Sequence, residues 1–253
     1  MKRLSNQSQI LRAMLLLLSS LLPATAMSLT LQFSDGTFNL ASYSISVFNN
    51  LPPPDTASLS QKPVGGNPGT WVAIEGTLQA DPTSNAIYAA ALVNPAWSYS
   101  PANQGPITSV SFSLDRFNSV VAADTQVAAT LVAVQSGIYY FNSIQGPVIA
   151  GVWETISQNG VNLTTAWNAF SFSTGAITPG VHPNFSSGSQ IAFGFALSVQ
   201  PPSLANTTGT IGADNFSLTI SAVPEPKTAL LFSAALALLI ARHRPRRRAR
   251  SAA

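Results

Sequence analysis

From Ser28 to Val223 the hydrophobicity of this 253-residue chain repeats every second residue, and that repeat constrains the fold more than any other feature. Leu29, Leu31 and Phe33 alternate with Thr30 and Gln32, Tyr43, Ile45 and Val47 with Ser44 and Ser46, and Val110, Phe112 and Leu114 with serines. Ile191, Phe193, Phe195, Leu197 and Val199 are separated by Ala, Gly, Ala and Ser, and Phe216, Leu218 and Ile220 close the set. Side chains that face alternate sides describe strands with one buried face. No part of this span sustains a helical period. Roughly ten short strands, punctuated by Gly, Pro and Asn, point to an all-β fold of two packed antiparallel sheets. The span suits one jelly-roll-like sandwich over residues 27–222 better than two immunoglobulin-sized domains of about 100 residues each. Leu51–Gly69, with prolines at 52, 53, 54, 63 and 68, reads as a long irregular loop that could close one end.

The net charge of +3 hides an uneven distribution. Between Met27 and Val223 the cations are Lys62 and Arg116, against Asp35, Asp55, Glu75, Asp81, Asp115, Asp124, Glu154 and Asp214, a net charge of −6. Such a body repels phosphate backbones, which argues against a nucleic-acid partner. The basic residues sit at the ends. With no cysteine, the chain has no disulfide framework, thiolate metal site or cysteine nucleophile.

Both ends carry targeting features. Lys2, Arg3 and Arg12 precede an apolar run from Ala13 to Leu22, followed by Pro23-Ala24-Thr25-Ala26. The run would span about 15 Å as a helix, half of a hydrocarbon core of about 30 Å. Ala24 and Ala26 form the small-x-small pair that signal peptidase accepts, so residues 1–26 read as a secretory signal cleaved after Ala26 and handled by the Sec machinery. At the other end, Pro224-Glu225-Pro226 precedes an apolar stretch over 228–241 and then Arg242, Arg244, Arg246, Arg247, Arg248 and Arg250. The stretch is apolar on every side, which suits lipid better than a protein core. The arginines after it would hold that end in the cytoplasm. The two prolines keep residues 224–226 extended, a form a processing enzyme can grip.

This order of Pro-Glu-Pro, one apolar transmembrane helix and an arginine-rich end, over residues 223–253, resembles the PEP-CTERM sorting signal of Gram-negative bacteria. The resemblance implies an exosortase, a membrane-embedded transpeptidase-like enzyme, that recognises and removes the tail. The chain would cross the inner membrane, be held there transiently by its helix, and then reach the cell surface or the extracellular exopolysaccharide matrix. Within the body, Asn94–Phe117 and Gly212–Ser221 resemble the edges of lectin-like or carbohydrate-binding jelly rolls of exported bacterial proteins.

The body is poor in acid–base groups. His182 lies in a Gly/Pro/Ser loop, and there is no G-x-S-x-G elbow. Glu75 and Glu154 are its only glutamates, so a glycosidase would have to use them as its carboxyl pair. If Trp71 faces outward, Glu75 shares its surface, and an aromatic ring beside a carboxylate suits a sugar's C–H face and hydroxyls. Trp97 and Tyr99, in a proline-flanked segment read as a loop, are the other candidate ligand-binding residues. Asp214, followed by Asn215, could contribute oxygen to a calcium ion, and an Asx turn explains the pair equally well. No cofactor is expected. The sequence therefore predicts a non-enzymatic, structural or carbohydrate-binding surface protein. The alternatives are a secreted carbohydrate-active enzyme and a protein-adhesion module.

Overall fold

The computed structural model describes residues 28–80, 86–119, 127–142, 149–202 and 206–223. The signal segment with Ala24 and Ala26 lies outside them. So does the tail with Pro224, Glu225, Pro226 and Arg242, Arg244, Arg246, Arg247, Arg248 and Arg250. Among the described residues no helix is long and apolar enough to cross a membrane. Ser28–Val223 groups as one compact unit.

Thirteen strands are present among the described residues. In chain order they are β1 (Leu29–Asp35), β2 (Ser44–Asn49), β3 (Thr56–Gly66), β4 (Gly69–Leu78), β5 (Tyr88–Tyr99) and β6 (Ile107–Asn118). There follow β7 (Val127–Gln135), β8 (Ile138–Asn142), β9 (Trp153–Gln158), β10 (Trp167–Phe170), β11 (Ile177–Pro179), β12 (Ile191–Val199) and β13 (Thr207–Ala222). One short helix, α1 (Pro101–Gln104), joins β5 to β6. The strands form two antiparallel sheets, as the alternation predicts. The first has the order β3-β4-β13-β6-β9, with β1 also on β13; the second runs β11-β10-β8-β7-β12-β5-β2.

The inward residues of the two sheets make the core. Val72 and Ile74 of β4, Phe112 and Leu114 of β6, and Phe216, Leu218 and Ile220 of β13 meet Leu92, Leu131, Phe193 and Phe195 of the second sheet. The segment Leu51–Gly69 departs from its loop reading, because most of it is β3, paired with β4 from Thr56↔Thr77 to Lys62↔Trp71. Its prolines are tolerated because β3 is an edge strand, where a missing N–H costs no ladder bond, and because Pro68 falls in the turn into β4.

β13 organises the first sheet. β6 runs along one side of it, whereas β4 pairs with its first half, Thr207–Ala213, and β1 with its second half, Phe216–Ala222. β4 and β1 therefore share the other side end to end, and β13 bulges between Asp214 and Ser217 where one gives way to the other.

Candidate ligand-binding site

The second sheet curls so far that its outer face becomes concave. β8 and β2 are four strand intervals apart, about 19 Å in a flat sheet. Yet the Tyr139 hydroxyl of β8 lies 2.6 Å from the Ser46 hydroxyl of β2, and the Phe48 ring of β2 meets Phe170 of β10 at 6.0 Å. Small residues permit the curl. Ala91 and Val93 of β5, Val132 of β7 and Ala196 of β12 form a second buried apolar cluster on the floor of the concavity. At Gly194 of β12 a β-carbon would collide with the Leu92 carbonyl of β5.

One wall of the concavity is aromatic. Register places Phe170 opposite Tyr139 and Asn168 opposite Phe141, so all four side chains share a face. Phe141 stacks on Phe170 at 5.0 Å, and Phe172 packs edge-on against Tyr139 at 4.7 Å and Phe170 at 4.9 Å. Beyond β10 the chain turns at Ser171, whose carbonyl accepts the Gly175 N–H at 2.7 Å and whose hydroxyl accepts the Thr174 hydroxyl at 2.9 Å. Gly175 has φ +72°, and any β-carbon there would strike the Phe48 ring, so the turn needs glycine on both counts.

Between this turn and the aromatic wall lies a cavity of about 430 Å³. Tyr139, Phe170 and Phe172 line it together with Ser171, Ser173 and Thr178, the last paired with Ala169 and so on the other face of the sheet from Tyr139, and no Asp, Glu, Lys, Arg or His contributes. Its size is at the lower end of small-molecule sites, which run from about 300 to 1,000 Å³. Its chemistry is that of a neutral amphipathic ligand. Ring faces carry negative potential that attracts C–H groups, and hydroxyls can both donate and accept. Sequence reasoning missed this site because Tyr139, Phe170 and Phe172 lie on or beside two short strands whose partnership only the fold reveals.

Of the residues singled out from the sequence, Trp71 and Glu75 do share the outer face of the first sheet, since Val72 and Ile74 between them turn to the core. They do not form an open platform. Trp71 is only 8% exposed: it packs edge-on against Trp153 (5.3 Å) and Phe117 (5.7 Å) and donates its indole N–H to the Val64 carbonyl at 2.9 Å. Gly212 of β13 gives the ring its space. Glu75 accepts from the Lys62 ammonium at 2.5 Å.

Trp97 and Tyr99 require correction. They belong to β5, not to a loop, and are 7% and 1% exposed in the core. β5 pairs Asn94 with Phe193 and then Ser98 with Ala192, so residues 95–97 form a bulge whose proline and alanine face solvent while Trp97 swings inward. There the indole stacks on Phe216 at 5.2 Å and meets Tyr43 edge-on at 5.6 Å. The Tyr99 hydroxyl donates to the Gly105 carbonyl at 2.9 Å. The prolines that suggested a loop mark a strand irregularity instead.

Glu75 and Glu154 are not brought together. β4 and β9 are separated by β13 and β6, about 14 Å of sheet, and the two side chains take opposite faces, Glu154 reaching the inward-facing Arg116 at 2.9 Å. A carboxyl pair flanking one glycosidic bond is thereby ruled out for these two residues. His182 is exposed, with Nδ1 2.9 Å from the Pro183 carbonyl oxygen.

Asp214 sits at the bulge of β13, where β4 and β1 meet. Fully buried, it accepts the backbone N–H of Asn67 at 2.5 Å and of Asn215 at 2.8 Å, one on each oxygen. Asp115 alongside accepts from the side-chain amides of Asn67 (3.1 Å) and Asn215 (2.8 Å) and from the Thr155 hydroxyl (2.5 Å). Both Asp214 oxygens are thus engaged by N–H donors, but these belong to the next residue, Asn215, and to the distant Asn67 rather than to the residue two positions on, so the arrangement differs from the Asx turn the sequence suggested. Among the described residues no group of three or more His, Asp or Glu side chains is placed to hold a metal ion. Burial pushes the Asp214 carboxyl up, and the charges of Asp115 and Asp35 push the same way against those two hydrogen bonds. Burial also pushes up the nearby Asp35, but donors from Thr37, Phe38 and Tyr43 outweigh it, and its pKa is lowered.

No family model and no curated protein matches the chain. Among solved structures it is similar to the family 11 carbohydrate-binding module from Clostridium thermocellum in complex with a β-1,3-1,4-mixed-linked tetrasaccharide. That likeness has 12% identity and a TM-score of 0.41 over 76% of this chain and 94% of the module. It is also similar to the lectin UEA-II complexed with galactose (11% identity, TM-score 0.31, 70% of this chain and 98% of the lectin). A third likeness is to an exo-β-agarase (17% identity, TM-score 0.34, 72% of this chain and 24% of the agarase). All three scores are low, so the chemistry of the site is read from this chain's own residues.

Proposed function

We propose that this chain is an exported surface or matrix protein whose sandwich binds carbohydrate at the concave outer face of its second sheet. The observation that carries the reading is the cavity of about 430 Å³ whose lining sets Tyr139 and Phe172, backed by the buried Phe170, beside Ser171 and Ser173, with no ionisable acid or base beyond the Tyr139 phenol. Aromatic faces stack on pyranose C–H groups while hydroxyls satisfy sugar hydroxyls, and the absence of a carboxyl or imidazole in the lining favours binding over hydrolysis. Export rests on the segment ending at Ala26. Transient anchoring in the inner membrane and release by an exosortase-like enzyme rest on Pro224, Glu225 and Pro226, the apolar stretch 228–241 and the arginines that follow.

Affinity electrophoresis of the full-length chain through gels containing soluble polysaccharides tests the binding. Retardation by at least one polysaccharide, lost in Phe172→Ala, is expected; migration unchanged by every polysaccharide would refute it. For the sorting half, cells expressing the chain with and without residues 224–253 are fractionated. Equal membrane association of the two forms would remove the anchor from the account.

A further inference from the structure

Resting on the carbohydrate reading above, we infer that the cavity takes uncharged sugars and turns away uronic, sulfated or otherwise anionic glycans. The body holds only two cations, and both are committed elsewhere. Lys62 of β3 is bound to Glu75 and Arg116 of β6 to Glu154, all on the first sheet, whereas the cavity is built from β8, β10, β11 and the turn between the last two. No cationic side chain lines it. A carboxylate seated against Tyr139 and Phe172 would give up part of its water with only hydroxyls to replace it and no cation to pair it, which is disfavoured. The field of the whole body opposes it as well, because eight acids face two cations between Met27 and Val223. A neutral pyranose meets neither obstacle. Its C–H face meets Tyr139 and Phe172, and its hydroxyls exchange water for Ser171 and Ser173. The modest volume further limits the recognised unit to a short stretch of sugar rather than a long chain segment.

The test uses matched polymers. Each neutral polysaccharide that retards the full-length chain is oxidised at C6, which turns the primary alcohol into a carboxylate on the same backbone. The dissociation constants of the two forms are then compared at low and at physiological salt. Binding to the oxidised form is expected to be at least 10-fold weaker at low salt, with the gap narrowing as salt screens the repulsion. Ser173→Lys, which places an ammonium at the exposed rim, is expected to recover affinity for the oxidised polymer. Equal or tighter binding of the oxidised form would overturn the inference while leaving the carbohydrate reading intact. A Ser173→Lys chain that still ignores the oxidised polymer would show that the exclusion is not one of charge, with the same consequence. If no neutral polysaccharide retards the chain in the first place, the carbohydrate reading itself is overturned.

Discussion

Replacing Trp97 with alanine separates a core residue from a ligand residue. The indole is 7% exposed and is held by three rings: Phe216 stacked at 5.2 Å, Tyr43 edge-on at 5.6 Å, and Phe33 at 6.4 Å. Phe33 belongs to β1, Phe216 to β13 and Trp97 to β5, so the indole ties the two sheets together near the β13 bulge. Truncating a buried tryptophan to alanine costs about 3–5 kcal/mol, combining lost transfer energy with the cavity left behind. The upper half of that range applies here, because the three neighbours lie on β1, on β13 and, for Tyr43, just before β2, and cannot collapse together into the space. For a domain of this size each kcal/mol moves Tm by about 2–4 °C, so a drop of about 8–20 °C is expected in a calorimetric melt. Trp97→Phe should recover part of the loss. At temperatures where the variant remains folded, its retardation by polysaccharide should match the parent's. A melting temperature within about 2 °C of the parent, joined to lost binding, would refute the placement of Trp97 in the core and return it to the surface.

Three further outcomes follow from the same geometry. Gly212→Ala would drive a β-carbon into the Trp71 ring and should cost about 1–3 kcal/mol in urea unfolding, with Trp71→Leu in the same chain relieving most of it. Glu154→Gln takes a carboxylate away from the Arg116 guanidinium, a side chain itself 2% exposed. A loss of about 3 kcal/mol is expected, the low end for breaking a buried pair because Glu154 is 20% exposed. The two perturbed aspartates should give opposite pH signatures in melts from pH 3 to 7. The raised pKa of Asp214 gives stability that is present below the ordinary carboxylate value near 4 and is lost as pH rises through the folded value. The parent should therefore lose ground to Asp214→Asn on going from pH 4 to 7. The lowered pKa of Asp35 gives stability that is present above that value and is lost as pH falls through the folded value, so the parent's advantage over Asp35→Asn should shrink in acid. Parallel curves for both variants would contradict the assignment.

What was legible in the sequence, and what was not, divides along physical lines. Alternation placed β1, β6, β12 and β13 correctly because a strand with one wet face writes its burial at every second residue. It also put Trp71 and Glu75 on a common face. Trp97 and Tyr99 were misread because proline was taken to end a strand, whereas three extra residues opposite Ala192 and Phe193 can be absorbed as a bulge without ending it. The stretch 56–66 was misread for a similar reason, its prolines being harmless on an edge strand. Pairings between strands distant in sequence, β8 with β10 and β2 with β5, leave no local trace, and the cavity is lined from the first of them.

One signal in the sequence does bear on the concavity. Strands of the first sheet keep a neutral polar face, hydroxyls at all but one position: Thr30, Gln32 and Ser34 of β1 run beside Ser217, Thr219 and Ser221 of β13 and Ser109, Ser111 and Ser113 of β6. In the second sheet that face gives way to apolar residues. β5 reads Tyr-Ala-Ala-Ala-Leu-Val and β7 reads Val-Ala-Ala-Thr-Leu-Val-Ala-Val, apolar on both sides, and such runs belong to strands covered on both faces. Nothing in the order of the described elements supplies a third layer to cover them, since their helices are the four-residue α1 and a single 3-10 turn, Leu40–Ser42. The sheet has to cover itself, and it does so by curling until β2 meets β8 and β10 over Ala91, Val132 and Ala196. The small side chains on that floor are therefore a condition of the curl. Enlarging one, as in Ala196→Leu, should pry Tyr139 from Ser46 and flatten the wall that Phe170 and Phe172 complete. That variant should lose polysaccharide retardation while the core formed by Phe193, Phe195 and Leu197 on the other face of the same strand stays packed. Retained binding alongside a large fall in Tm would mean that the floor serves stability alone, and that the concavity does not shape the site.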